Sequence, residues 1–252
     1  MTAPPPTRPM ATLIDPGAVS GALAWRLPPE IAWPQFLKLL RRQGPPRGWL
    51  EAAADIPDVR KRPMLLRWIA QHRGAPVHLR VSLIGRLPWL ALASISWDPS
   101  AHPQARAQSV ERLQTLWPGL TIGERRTFAQ IAPRQMWPMV WKVRDSGVIT
   151  AFLQHPKLGL EMLANLIQPP IHASHVDALH RAHISKCSPI ARQVISAMDQ
   201  SLRLPGHGLA LGMAAPWMHY LGEEDLRLMG PELKHPLLRR MLEKRMLEKR
   251  FG

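Results

Sequence analysis

The stretch SPIARQVISAMDQSL, residues 188–202, decides the fold. Ser188 offers a capping hydroxyl, and Pro189 falls where a helix has no use for the N–H that proline lacks. Ala191, Val194, Ile195, Met198 and Leu202 then follow at three- and four-residue steps, which places them on one apolar face of a helix. Polar residues fill the steps between, so the segment is one-sided and needs a neighbour to cover its stripe.

The same grammar extends in both directions. Towards the N-terminus, Thr121 and Glu124 form a capping box, which predicts a helix through Ala132. Asp145 caps a segment carrying Val148, Ile149, Phe152 and Leu153, and His155-Pro156 ends it before another segment runs over 158–167. Pro169-Pro170 breaks the chain again. Val110, Leu113 and Trp117 make a stripe closed by Pro118-Gly119, and Leu65, Trp68 and Ile69 make one closed by Arg73-Gly74. Trp33, Phe36, Leu37 and Leu40 make a further stripe before Gly44-Pro45-Pro46. Towards the C-terminus, helical segments are predicted over about 208–221 and from His235 onward. The last contains the pentad Met-Leu-Glu-Lys-Arg twice, at 241–245 and 246–250. Five residues turn a helix by about 140°, so the copies present different faces: Leu238, Met241, Leu242 and Met246 share a broad stripe and Leu247 lies off it.

Composition agrees with helix throughout. Among 252 residues there are 27 Pro and ten Trp but only four Phe and one Tyr, and the aliphatic residues are mostly Leu, Ala and Met. These are helix formers, whereas β-branched residues occur singly. One cysteine, Cys187, allows no internal disulfide and no zinc site of the usual thiolate kind, which suits a reducing, cytoplasmic setting. The first 15 residues have no basic segment followed by an apolar one, and no run of 18 apolar residues occurs, so neither secretion nor a membrane span is expected.

The net charge of +15 attracts polyanions, yet 25 of the 33 cationic residues are Arg, as a GC-rich coding sequence would write without regard to function. Residues 1–126 hold 17 basic and 8 acidic side chains, and 127–252 hold 16 and 10, so no basic arm stands out.

Breaks at intervals of roughly 20 residues, or about 40 per helix pair, point to stacked helical hairpins. The expected architecture is all-α, an α-α superhelix over 13–252, with 1–12 a flexible Pro-rich lead-in and 13–86 a candidate N-terminal cap region. An irregular helical bundle is the structural alternative.

From about residue 87 the chain resembles a group of bacterial HEAT-like proteins without an assigned activity. The resemblance is carried by Leu-Thr-Ile-Gly-Glu-Arg-Arg (120–126), Ala-Pro-Arg (132–134), the Trp-rich segment that follows, and Val-Ile-Thr-Ala-Phe-Leu-Gln-His-Pro-Lys-Leu (148–158). It covers some two thirds of the chain and implies the α-α superhelix; it brings no catalytic residues and no cofactor.

Three constellations bear on chemistry. His172, His175, His180 and His183, with Cys187 beyond, fall on one broad helical arc, but none of the usual metal-binding pair spacings is present, and they also read as helix-surface and packing histidines. Trp137, Trp141 and Asp145 lie at four-residue steps. This is similar to the aromatic-plus-carboxylate arrangement of HEAT-like DNA glycosylases. That likeness implies base contacts from Trp137 and Trp141, an electrostatic role for Asp145, and phosphate contacts from Arg125, Arg126 and Arg134. Against it, Asp145 has immediate use as a cap, and tryptophans four apart are commonly core. Basic clusters at Arg60-Lys61-Arg62 and at Arg239-Arg240 with Lys244-Arg245 suit phosphates, acidic proteins or plain solvent. No phosphate-binding glycine loop and no nucleophile elbow occurs. The reading that results is a non-enzymatic helical scaffold with a protein partner, the alternative being nucleic-acid binding, with Trp137, Trp141, Asp145, Arg125, Arg126 and Arg134 as candidate contact residues.

Overall fold

A computed structural model describes Lys38, residues 48–205 and residues 209–251. The Pro-rich lead-in, Trp25, the Trp33, Phe36, Leu37 and Leu40 stripe and its Gly44-Pro45-Pro46 stop lie outside the described residues. Within them every regular element is a helix: fifteen α-helices with defined bounds and four 3-10 turns, with no strand. None is long and apolar enough to cross a membrane. Prolines set the starts. Pro57, Pro63, Pro103, Pro138, Pro189, Pro216 and Pro236 each occupy the first or second position of a helix, and Pro76 and Pro88 cap the next two in extended conformation.

The chain divides into two compact units, 1–113 and 114–252. In the first, α1 (Trp49–Asp55), α2 (Pro57–Arg60), α4 (Val77–Arg86) and α5 (Trp89–Trp97) all pack on α3 (Pro63–Gln71). Leu65, Leu66, Ile69 and Ala70 form the buried stripe of α3, with Trp68 half-buried at its edge. On α3, Arg67 donates to the Ser94 hydroxyl at 3.0 Å and Gln71 donates to Asp98 at 2.9 Å, which ties α3 to α5 and its C-terminal cap. Helix α6 (Pro103–Leu116) begins in this unit and ends in the next.

The second unit contains α7 (Ile122–Ala129), α8 (Trp137–Trp141), α9 (Ser146–Leu153), α10 (Leu160–Leu166), α11 (Ala173–Arg181), α12 (Ser188–Leu202), α13 (Ala215–His219), α14 (Glu223–Met229) and α15 (Pro236–Phe251). Alternate helices pack together: α9 lies against α7 and α11, and α12 against α10 and α14. One structural module appears twice. A 3-10 turn (Arg134–Met136, then Leu211–Ala214) leads into a five-residue helix holding Pro138 or Pro216. A short helix comes next, with an aspartate at its cap (Asp145 before α9) or in its first turn (Asp225 in α14, capped by Gly222), and His155-Pro156 or His235-Pro236 follows.

Several predicted boundaries move for identifiable reasons. The capping box of Thr121 and Glu124 is formed, but α7 stops at Ala129 and not at Ala132, which precedes Pro133 and is thereby disfavoured in helical conformation. The single helix expected over 208–221 is a 3-10 turn followed by α13, because Pro216 is tolerated only in a first turn. Ser188 is the first residue of α12 and not its cap; its hydroxyl donates to Asp225. In α15, Leu238 and Leu242 are buried, Met241 and Met246 half-buried, and Leu247 is 55% exposed, as the five-residue rotation requires.

Asp199, buried in α12, accepts the backbone N–H groups of Lys234 at 3.0 Å and His235 at 2.7 Å, so one helix caps the start of another. Asp199→Ala strands both amides and is expected to lower stability by about 2–3 kcal/mol in urea unfolding, with Asp199→Asn losing less. An alanine variant as stable as the parent would show that this cap carries no energy.

Candidate functional site

The second unit contains a concavity of about 610 Å³ between the end of α8 and the chain joining α10 to α11. One wall comes from Pro138, Trp141, Lys142 and Arg144. The other comes from Asn165, Leu166 and residues 168–172, and His175 closes the floor.

The second wall is held by α12. Gln193 donates to the Ile167 carbonyl at 3.0 Å, and the Ser201 hydroxyl accepts the Ile171 N–H at 2.9 Å while donating to the Ala197 carbonyl at 2.6 Å. The connection is thus fixed at both ends by side chains of α12, the exposed Gln193 and the buried Ser201. The first wall is fixed by the ends of two helices: Lys142 is the C-cap of α8, and Asp145 opens α9.

At the floor His175, 3% exposed, donates from Nε2 to the Trp141 carbonyl at 2.5 Å, and its ring meets the Trp141 ring edge-on at 4.7 Å. A carbonyl only accepts, so the proton sits on Nε2 and Nδ1 is left to face the Ser174 hydroxyl at 3.4 Å. Burial holds the imidazole below the ordinary histidine value; the Trp141 bond opposes this, and nearby His172 and Arg144 reinforce it. Among the described residues the lining carries two permanent cations, Lys142 and Arg144, beside the imidazoles of His172 and His175. Neither cation makes an ion pair or side-chain hydrogen bond among the described residues, and no carboxylate lines the cleft.

Counted from the prolines after His155 and His235, Asn165 and Pro169 correspond to Arg245 and Lys249. Helix α15 continues through its positions, and there Arg245 donates to His219 at 2.9 Å and Lys249 to the Leu221 carbonyl at 2.6 Å. Helix α10 ends at Leu166, and its counterparts are a short amide and a proline.

Of the six residues singled out from the sequence, Trp141 alone lines the cleft. Trp137 is 2% exposed, donates its indole N–H to the Ala132 carbonyl at 2.9 Å, and packs edge-on to Phe152 and His155. Asp145 accepts the Val148 N–H at 2.8 Å, which with Arg126 holds its carboxyl below the usual carboxylate range. Arg126 reaches Asp145 at 3.3 Å by crossing Gly147, where a Cβ would lie 2.5 Å from its Nε. Arg125 donates to the Pro118 carbonyl at 2.9 Å with its guanidinium 5.3 Å from the Trp117 ring centre, and Arg134 contacts the Met162 sulfur. In the histidine group, His172 and His175 reach the cleft, their ring centres 5.9 Å apart. His180 lies by Trp217, and His183 adopts left-handed backbone at φ 56°. Among the described residues no three His, Cys, Asp or Glu side chains converge as metal ligands would. Lys142, Arg144, Asn165 and Gln168 were missed: nothing in the sequence brings 138–144 beside 165–175.

Comparison with protein-family models, with curated proteins and with solved structures finds no match to this chain.

His155 is likewise buried and held low. Both histidines bind protons less readily folded than unfolded. Their contribution to stability is therefore complete above the ordinary histidine value of about 6.5 and is lost as the pH falls towards their lowered folded values. Denaturant midpoints should fall between about pH 7 and 5. His175→Gln, which keeps a donor for the Trp141 carbonyl, should remove part of that slope and leave the part due to His155. Asp145 and Asp225, whose carboxyls are held low by the Val148 amide and the Ser188 hydroxyl respectively, add a second loss below about pH 4. A flat midpoint down to pH 5 would contradict the assignment of neutral buried histidines.

Proposed function

We propose that the chain is a non-enzymatic helical scaffold, its hairpins stacked as an α-α superhelix of HEAT-like kind, which holds another macromolecule, a protein in the first place. The observation that carries this reading is the packing of alternate helices in the second unit, α7 with α9 with α11 and α10 with α12 with α14, since such stacking leaves broad ordered faces for a partner. The twice-built module supports a repeat origin. A cytoplasmic setting agrees with the single half-buried cysteine.

Nucleic-acid binding is the second reading, favoured by the net charge of +15 and by unpaired Lys142 and Arg144. The glycosylase-like version of it draws on Trp137, Trp141 and Asp145. It competes with the uses these residues already have, the bond from Trp137 to Ala132 and the α9 cap with its Arg126 pair.

Immobilised protein is expected to retain one stoichiometric protein partner from lysate at physiological salt and to release labelled double-stranded DNA under the same conditions. The discriminating variants reverse charge on the second unit, Lys142→Glu with Arg144→Glu on one hand and Arg239→Glu with Arg240→Glu on the other. DNA retention that weakens steeply with salt, with no protein partner, would overturn the scaffold reading in favour of the second.

A further inference from the structure

One feature of the second unit joins a cavity to two cationic side chains that make no ion pair or side-chain hydrogen bond among the described residues. The cleft between α8 and the chain joining α10 to α11 is within the range of about 300–1,000 Å³ typical of small-molecule sites, at about 610 Å³. We propose that it binds a small organic anion, the phosphate or carboxylate head meeting Lys142 and Arg144 and a flat apolar body lying on Trp141 and Ile171. This holds whether the macromolecular partner is protein or nucleic acid, so it does not rest on the preceding proposal.

Three observations carry it. First, donors outnumber acceptors. Lys142 and Arg144 bring eight side-chain N–H groups between them, none engaged among the described residues, while Gln168 already donates to the Asn165 carbonyl and His175 to Trp141. A cationic guest would meet two like charges and no carboxylate; an anionic guest meets two partners and no repulsion.

Second, Trp141 is 8% exposed yet its indole N–H has no acceptor among the described residues. Trp137, on the same short helix and also buried, has one in Ala132. The Trp141 Nε1 atom is itself open to solvent, so its N–H is able to donate to an anion in the cleft.

Third, the cleft is a fixed shape. Its far wall is pinned through Ile167 and Ile171 by Gln193 and Ser201 of α12, so the site exists before a ligand arrives and loses little order on binding. A nucleic-acid strand needs a row of cations that follows successive phosphates, whereas this half-open cleft offers two, which fits a single head group.

The test uses the full chain and three probes sharing one two-ring body: 1-naphthyl phosphate, 1-naphthoate and neutral 1-naphthol, each titrated by calorimetry. Both anions should bind saturably, with naphthol about tenfold weaker or more. Lys142→Gln with Arg144→Gln should weaken both anions about tenfold at an unchanged melting temperature, since neither side chain is bonded within the fold. Trp141→Phe, which keeps a ring and removes the N–H, should weaken them severalfold. The tighter of the two anions identifies the head group, and equal affinity means that the site reads charge alone. The proposal is overturned by naphthol binding as tightly as the anions, by the double variant binding like the parent, or by no saturation up to about 5 mM. It is also overturned if a DNA oligomer displaces naphthyl phosphate at concentrations where naphthoate does not.

Discussion

Short helices multiply ends, and every end leaves four backbone groups without an intrahelical partner. In α8 and α13, five residues each, almost the whole helix is an end. The structure of the second unit depends on how those groups are satisfied, and α12 is the element that does most of it. Its inward face is apolar, with Ile190, Val194, Ile195 and Met198 buried. Around that face stand Ser188, Arg192, Gln193, Asp199 and Ser201, each bonded to a neighbouring segment or to the side chain that opens one. Apolar burial brings α10, α13 and α14 to α12; these polar contacts fix where the joining segments run.

What could be read from the sequence was whatever depends on near neighbours in the chain. The Thr121 and Glu124 box, the Asp145 cap and the stripe of Leu238 and Leu242 are decided within one or two turns, so spacing reveals them. The general expectation that the tryptophans are core also needs only their size. The difference between Trp137 and Trp141 is of another kind, because it turns on whether the Ala132 carbonyl comes within reach. Ser188 shows the same limit. Its hydroxyl is a good local cap, and a tertiary partner, Asp225, takes it instead. The cleft was illegible because its second wall is held by bonds from α12, 26 and 30 residues further along the chain.

The surplus of positive charge has a definite distribution among partners. Arginine makes many of the ion pairs of the described residues: Arg60 with Asp55, Arg126 with Asp145, Arg181 with Asp177, Arg192 with Asp225, Arg203 with Asp199, Arg227 with Glu223 and Arg245 with Glu248. The planar fork suits carboxylates that are simultaneously capping a helix, as in Asp145, Asp199 and Asp225. Most of these pairs are exposed and contribute little to stability individually. They do consume the scarce acids, which leaves cations such as Lys142 and Arg144 to the solvent or to a guest.

The continuation of α15 past the point where α10 stops has an architectural meaning. In the C-terminal module the chain's own cations reach back to His219 and the Leu221 carbonyl, so that copy is self-occupied. The other copy is built to the same plan with the reaching residues left out. The two stretches thus differ in reach: the longer helix fills its own corner, and the shorter one leaves a concavity beside it.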